Sequence, residues 1–476
     1  MKKNLILIAF VFAGLFAQAQ GYKITLKSNY KVGLAYLTYY LGQDRILQDS
    51  AATANNGIAI FKNKANLMPG IYSIVFPGKR LTIDFLVEKE QILNIAADTN
   101  QLDKVLVTGS AANTDFKNYQ GVVNVLGKKL QEEKQAYDKS KTKADSTRHD
   151  VEYKRYNKQL NEYRETVVKS KPTSMLAVLL SALRESPLPT KIPVTRQDSI
   201  ENYNFYKSHY WDGVTFMDDR VIRTPFFLPK LKNYYENVLS QNPDTLVKDL
   251  DYKLLLARSN PEMYKFLMNW YTDQYMNPKY MGQDAVFVHL YQKYHSQGMS
   301  KWLTKYQDSI ITRRAFMLMS NLVGEKAANL DMADTAGKPK SLYDVNADFT
   351  LVIFWDPNCG HCKEEIPRID SFYRNIWKAK NLKIFAVLND GENLKPAWLD
   401  FIKEKKIGEW FNVYQTKAME NLEISQQRPS FKQLYDVYVT PTIFLLDKQK
   451  RIIAKKLSVE QLNDFIDDKI KSGTNK

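Results

Sequence analysis

Phe349-Thr350-Leu351-Val352-Ile353-Phe354-Trp355-Asp356-Pro357-Asn358-Cys359-Gly360-His361-Cys362 reads as a strand, a break and the first turn of a helix. Seven largely apolar residues without polar alternation are what a strand buried on both faces of a sheet requires. Asp356-Pro357-Asn358 carries turn residues that end such a strand. Beyond it Cys362, Ile366, Ile369, Phe372, Tyr373 and Ile376 fall on one face of a helix that Cys359 opens.

That order of elements suits thiol chemistry. A thiolate is the nucleophile in disulfide exchange, and a free cysteine is mostly protonated at neutral pH. Unpaired N–H groups and the positive end of the dipole at a helix N-terminus stabilise the anion, which makes Cys359 the attacking residue. Cys362, one turn further in, is shielded yet close enough to resolve a mixed disulfide. His361 stands between them and can stabilise the thiolate, which favours the reduced form.

The rest of the chain narrows the alternatives. These are the only cysteines among 476 residues. A four-cysteine zinc site is therefore impossible, and a disulfide closing so tight a loop would add little as a staple. Lys2 and Lys3, the apolar run 5–16 and Ala17-Gln18-Ala19 make residues 1–19 an expected cleaved signal peptide, with the mature chain starting near Gln20. The apolar run is shorter than the roughly 20 residues a membrane anchor needs. Neither cysteine lies near the cleavage point, so no lipid anchor is expected there, and no transmembrane anchor elsewhere. The expected location is the periplasm or cell envelope.

The formal charge is +16, and removing Lys2 and Lys3 leaves 16 − 2 = +14. Spread along lysine-rich helices, this charge describes a solvated surface. No nucleic-acid motif accompanies it, and no nucleic-acid partner is expected.

Upstream, residues 20–112 carry short alternating runs (22–26, 33–41, 57–61, 71–76 and 82–87) punctuated by Asn55-Asn56-Gly57, Pro69-Gly70 and Pro77-Gly78. The pattern predicts a small antiparallel β-sandwich or barrel. In residues 113–170 two heptad-like stripes, Phe116 to Tyr137 and Tyr153 to Val167, flank the polar break 140–146 and predict a helical hairpin. Residues 171–321 predict an all-α domain, with helical patterns at 174–183, 234–239, 246–256, 263–275 and 285–294 and a three-proline loop at 185–193. Its histidines, His209, His289 and His295, show no metal-ligand spacing and are expected to be structural or exposed. Residues 322–476 are α/β, with a second buried strand at 382–388, a helix at 395–405, a strand at 443–447, a partner strand at 451–455 and an amphipathic helix at 459–471. The fold class is thus multidomain: a β domain, a central α region and a C-terminal α/β domain.

From about Leu322 to Ile470 the chain resembles the TlpA-like branch of the thioredoxin superfamily, which comprises bacterial envelope thiol–disulfide oxidoreductases. Phe354-Trp355, Cys359-Gly360-His361-Cys362 and Pro367 correspond to the active-site strand and kinked helix. Thr440-Pro441-Thr442 corresponds to the loop whose proline is cis and faces the two cysteines. Glu365 falls at an acidic position common after the motif. The resemblance implies catalytic roles for Cys359, Cys362, His361, Pro441 and Glu365, with the two cysteines as the redox disulfide. It implies substrate contacts at Trp355, Gly360 and Thr440, whose backbone could pair with an extended segment. Implied partners are disulfide-containing or dithiol proteins and an envelope redox partner; no cofactor and no resident metal are implied.

In one respect the chain departs from the pattern. Thioredoxin has a buried aspartate on the active-site strand where this sequence has Ile353, so another group must help deprotonate Cys362, and Glu365 is the candidate. Three other functions stay open: a non-enzymatic binding protein using the fold as a platform, copper handling through Cys359, Cys362 and His361 or Met419, and a peroxidase. The His in the motif points to isomerase-like potentials near about −180 mV, and the resemblance to reductases near about −270 mV. The reading inclines to a reductase.

Overall fold

The computed structural model describes residues 21–30, 33–76, 78 and 81–474. The expected signal peptide, residues 1–19, lies outside them. The chain divides into two compact units, Met1–Leu239 with Leu256–Tyr264, and Ser240–Leu255 with Lys265–Lys476.

Among the described residues of the first unit eight strands form two four-stranded sheets: β1 (Tyr22–Ser28), β2 (Gly33–Leu41), β3 (Asp44–Thr53), β4 (Ile58–Asn63), β5 (Gly70–Val75), β6 (Thr82–Val87), β7 (Ile92–Ala97) and β8 (Leu106–Thr108). Their orders are β4-β1-β7-β8 and β3-β2-β5-β6. Ile24, Leu26, Phe61, Leu93 and Ile95 of one sheet share a core with Leu37, Tyr72, Ile74 and Phe85 of the other. The sandwich is not wholly antiparallel, because β1 pairs with β7 in parallel. Helices α1 (Ala111–Lys139) and α2 (Lys143–Ser170) form the hairpin, with Tyr119 stacked on Tyr163 across the seam at 6.5 Å. The helices that follow in this unit are α3 (Met175–Leu183), α4 (Arg196–Ser208) and α5 (Phe227–Asn233).

Most of α6 (Pro243–Ala257) and α7 (Pro261–Met276) belongs to the second unit, followed by α8 (Asp284–Leu290) and α9 (Lys305–Met319). The two histidines of this stretch have structural surroundings. His295, 6% exposed, lies between the hydroxyls of Thr272 at 2.9 Å and Ser300 at 2.8 Å. His289 pairs with Asp251 at 2.9 Å.

The chain then runs through β9 (Asp331–Asp334), β10 (Pro339–Ser341), β11 (Phe349–Trp355), α10 (Gly360–Phe372), β12 (Leu382–Leu388), α11 (Lys395–Lys405) and β13 (Phe411–Tyr414). It closes with α12 (Lys417–Ser425), α13 (Phe431–Leu434), β14 (Thr442–Asp447), β15 (Ile452–Lys455) and α14 (Val459–Thr474). The seven strands are ordered β10-β9-β13-β12-β11-β14-β15. Central β11 runs parallel to β12 and antiparallel to β14, as a thioredoxin fold requires.

Alternation along β11 feeds two cores. Leu351, Ile353 and Trp355 enter one cluster with Cys362, Ile366 and Ile369 of α10. Val352 and Phe354 enter the other, with Phe431, Tyr435 and Phe444. Burial on both faces is the physical reason for the unbroken apolar run that marks this strand in the sequence.

Candidate active site

The site lies where β11 ends. The parallel strands β11 and β12 both end at this edge, and β14 starts there, Phe354 pairing with Thr442. The loop before β14 therefore lands beside the turn that follows β11.

Cys359 is the N-cap of α10 with an extended backbone, and its side chain caps nothing. Its sulfur is partly exposed and donates a 3.3 Å hydrogen bond to the Thr440 carbonyl. The Thr440–Pro441 peptide bond is cis. Both cysteines are free thiols.

The two sulfurs sit in opposite environments. Partial burial opposes the Cys359 anion. Hydrogen bonds from the Thr440 side chain, from Cys362 and from the His361 backbone outweigh it, so the thiol is held below its usual value. Cys362 is 0% exposed, and burial pushes its thiol up to about 12 against a lowering from the Asp356 backbone. This asymmetry belongs to a nucleophile and a protected partner.

Gly360 and His361 are exposed, and a Cβ built at Gly360 meets no atom within 4 Å. The face in front of Cys359 is therefore open. The turn is braced by Asp356, whose carbonyl accepts from Cys359 N at 3.2 Å and whose carboxylate accepts from Asn358 N at 2.7 Å. Pro367 lies inside α10, where it removes one donor of the helical ladder.

Two of the expected site residues are placed differently. Trp355, expected to touch substrate, is 0% exposed; its ring lies 5.1 Å from Phe401 inside the core. As the last residue of a doubly buried strand it alternates inward, which makes it a packing residue. Glu365 is held in an ion pair with Arg368, which also pairs with Glu460. The groups acting on the Cys362 thiol are the Asp356 backbone, Cys359 and Thr440, with burial above all. Met419, the soft ligand considered for copper, packs at the edge of the Cys362 core.

Sequence reasoning missed the two residues preceding Thr440. Tyr438 and Val439 are 67% and 71% exposed, an apolar pair next to the cis bond. The signal was available as two large apolar residues in a segment that is neither strand nor helix.

Residues 323–455 match the AhpC/TSA family, and residues 129–321 match a domain of unknown function, DUF5106. Residues 323–455 form a thioredoxin-like domain of the AhpC/TSA family. This thioredoxin-like oxidoreductase domain is similar to a domain of a possible thiol-disulfide isomerase from Cytophaga hutchinsonii. The two are 41% identical over 33% of this chain and 97% of the other, with a TM-score of 0.28. A thioredoxin-like protein from Bacteroides caccae is 22% identical over 60% of this chain and 98% of its own, with a TM-score of 0.44. A thiol:disulfide interchange protein from Bacteroides sp. is 27% identical over 32% and 91% respectively, with a TM-score of 0.27. No curated protein matches the chain. Among the described residues, no helix is long and apolar enough to cross a membrane.

Proposed function

We propose that the protein is an exported thiol–disulfide oxidoreductase that reduces disulfides in other proteins through Cys359-Gly360-His361-Cys362. The observation that carries this reading is the asymmetry of the pair: an accessible, acidified Cys359 beside a fully buried Cys362.

In the reaction, the Cys359 thiolate attacks one sulfur of a substrate disulfide. A Cys359–substrate disulfide forms, and the second substrate sulfur leaves as a thiolate that takes up a proton. Cys362 then loses its proton and attacks the Cys359 sulfur. The Cys359–Cys362 disulfide forms, and the first substrate sulfur leaves as a thiol. Two electrons and two protons have passed to the substrate, and a dithiol partner protein in the envelope restores the reduced pair.

The open face at Gly360 and the exposed Tyr438-Val439 suit a macromolecular substrate. Thr440, joined to Pro441 by the cis bond, meets the sulfur through its carbonyl, and its backbone is the segment that would align an extended chain. Export rests on the basic, apolar and small-residue pattern of residues 1–19.

The direction of electron flow is tested by equilibrating the mature protein in glutathione buffers. A potential below about −220 mV supports the reductase, and one near about −180 mV would move the assignment to oxidation or isomerisation. A pair that never cycles between thiol and disulfide would end the enzymatic reading.

A further inference from the structure

The loop that brings Thr440 to Cys359 is fastened at three points to a single helix. Arg314, Met317 and Asn321 stand at i, i+3 and i+7, one face of α9 and of the turn just past it. Asn321 Nδ2 donates to the Leu434 carbonyl at 3.0 Å. Arg314 Nη1 pairs with Asp436 Oδ1, while Lys456 Nζ donates to Asp436 Oδ2 at 2.9 Å. The Tyr438 hydroxyl donates to Met317 Sδ at 2.6 Å, and the Arg314 guanidinium lies 6.0 Å from the centre of the Tyr438 ring. Arg314 is held in its turn, since its Nε donates to the Met276 carbonyl at 3.0 Å.

Burial makes the central contact sensitive. The Asp436 side chain is 1% exposed and that of Arg314 14%. Removing one partner of a desolvated pair leaves a charge that the interior tolerates poorly. Asp436 also has φ +52°, a left-handed conformation that Asp tolerates better than most residues. The position is thus specified by both backbone and charge, four residues before Thr440.

We propose that Arg314, assisted by Met317 and Asn321, is a positioning residue for the disulfide chemistry: α9 holds the 434–440 loop so that Thr440 stays against the Cys359 sulfur. This rests on the reading of Cys359 as the attacking thiol. It gives part of the stretch matching DUF5106, which includes α9, a role in tuning a thiol that lies outside that stretch.

The test uses the full chain as wild type, Arg314→Ala and Arg314→Lys, with Cys359 alkylation by iodoacetamide followed against pH and thermal melting run alongside. In Arg314→Ala the alkylation midpoint is expected to move from the wild-type value by about half a pH unit, a threefold change in thiolate fraction, because the loop no longer holds Thr440 at the Cys359 sulfur. Arg314→Lys should recover part of that shift. A folded Arg314→Ala with the wild-type midpoint would overturn the proposal. If Arg314→Ala does not fold, Tyr438→Phe, which keeps the ion pair, should show a smaller shift of the midpoint, and an unchanged midpoint there would overturn it equally. A wild-type Cys359 with an ordinary thiol midpoint would instead remove the attacking-thiol reading on which the proposal stands.

Discussion

Cys359 and Thr440, 81 residues apart in the chain, meet in a 3.3 Å hydrogen bond from the thiol to the carbonyl oxygen. The antiparallel pairing of β11 with β14 makes the meeting possible, because it starts β14 beside the end of β11. Thr440 contributes twice: its carbonyl receives the proton of the thiol, and its side chain helps stabilise the anion.

Alkylation rate follows the thiolate fraction, so it rises with pH and levels off above the thiol pKa. In the wild type the Cys359 midpoint should fall below the ordinary thiol value of about 8.5. Thr440→Val, which deletes the hydroxyl and keeps the carbonyl, should move it upward. Equal midpoints would show that the hydroxyl does not act on the sulfur. Cys362 should stay unmodified in the native protein throughout the range.

Gly360 separates access from folding. It opens α10, and a Cβ there meets open space, so Gly360→Ala should melt at or up to a few degrees above the wild-type temperature, since Ala is favoured over Gly in a helix by up to about 1 kcal/mol. The added methyl stands where a protein substrate must approach. KM for a protein disulfide should rise while turnover of a small aromatic disulfide changes little. Equal effects on both substrates would place Gly360 away from the docking face.

Trp355 tests core against surface. Trp355→Ala should lower stability by about 3–5 kcal/mol, measured by denaturant unfolding, as for other large buried side chains. Tyr438→Ala removes a mostly exposed ring and should cost far less stability while raising KM for protein substrates. A stable Trp355→Ala with weakened substrate binding would restore Trp355 to the substrate surface.

His295 gives the helical part of the second unit a pH dependence. Burial lowers its pKa from 6.5 to about 4, with Asp308 acting in the opposite sense and the Thr272 and Ser300 hydroxyls occupying both ring nitrogens. Below pH 6.5 the unfolded chain binds a proton that the folded one refuses. The stabilisation is therefore complete above 6.5 and lost progressively as pH falls from 6.5 to 4, by about 3 kcal/mol. Urea unfolding across that window should show the slope, and His295→Asn should be less stable at pH 7 with a flatter profile. A wild-type profile without the slope would mean that the ring titrates normally.

The chemistry was legible because it is local. A buried strand, a turn and Cys359-Gly360-His361-Cys362 are contiguous, and Thr440-Pro441-Thr442 announces the opposing loop. Elements with weak patterns were not legible. β3 is largely exposed and so shows no apolar alternation, and α9 buries only Ile311, Ala315 and Leu318 between charged residues. The pairing of Arg314 with Asp436 spans 122 positions and joins two polar residues, which no periodicity signals. Trp355 was misplaced for a related reason: its family position suggested a surface role, whereas its place in β11 decides its burial.

Whether Cys359 is the attacking thiol is decided by reduction of a model protein disulfide by full-length wild type and Cys359→Ser, followed in a single turnover. Stoichiometric reduction is expected from the wild type, with the Cys359–Cys362 disulfide appearing at the same rate, and none above background from Cys359→Ser. Full activity in Cys359→Ser would contradict that role.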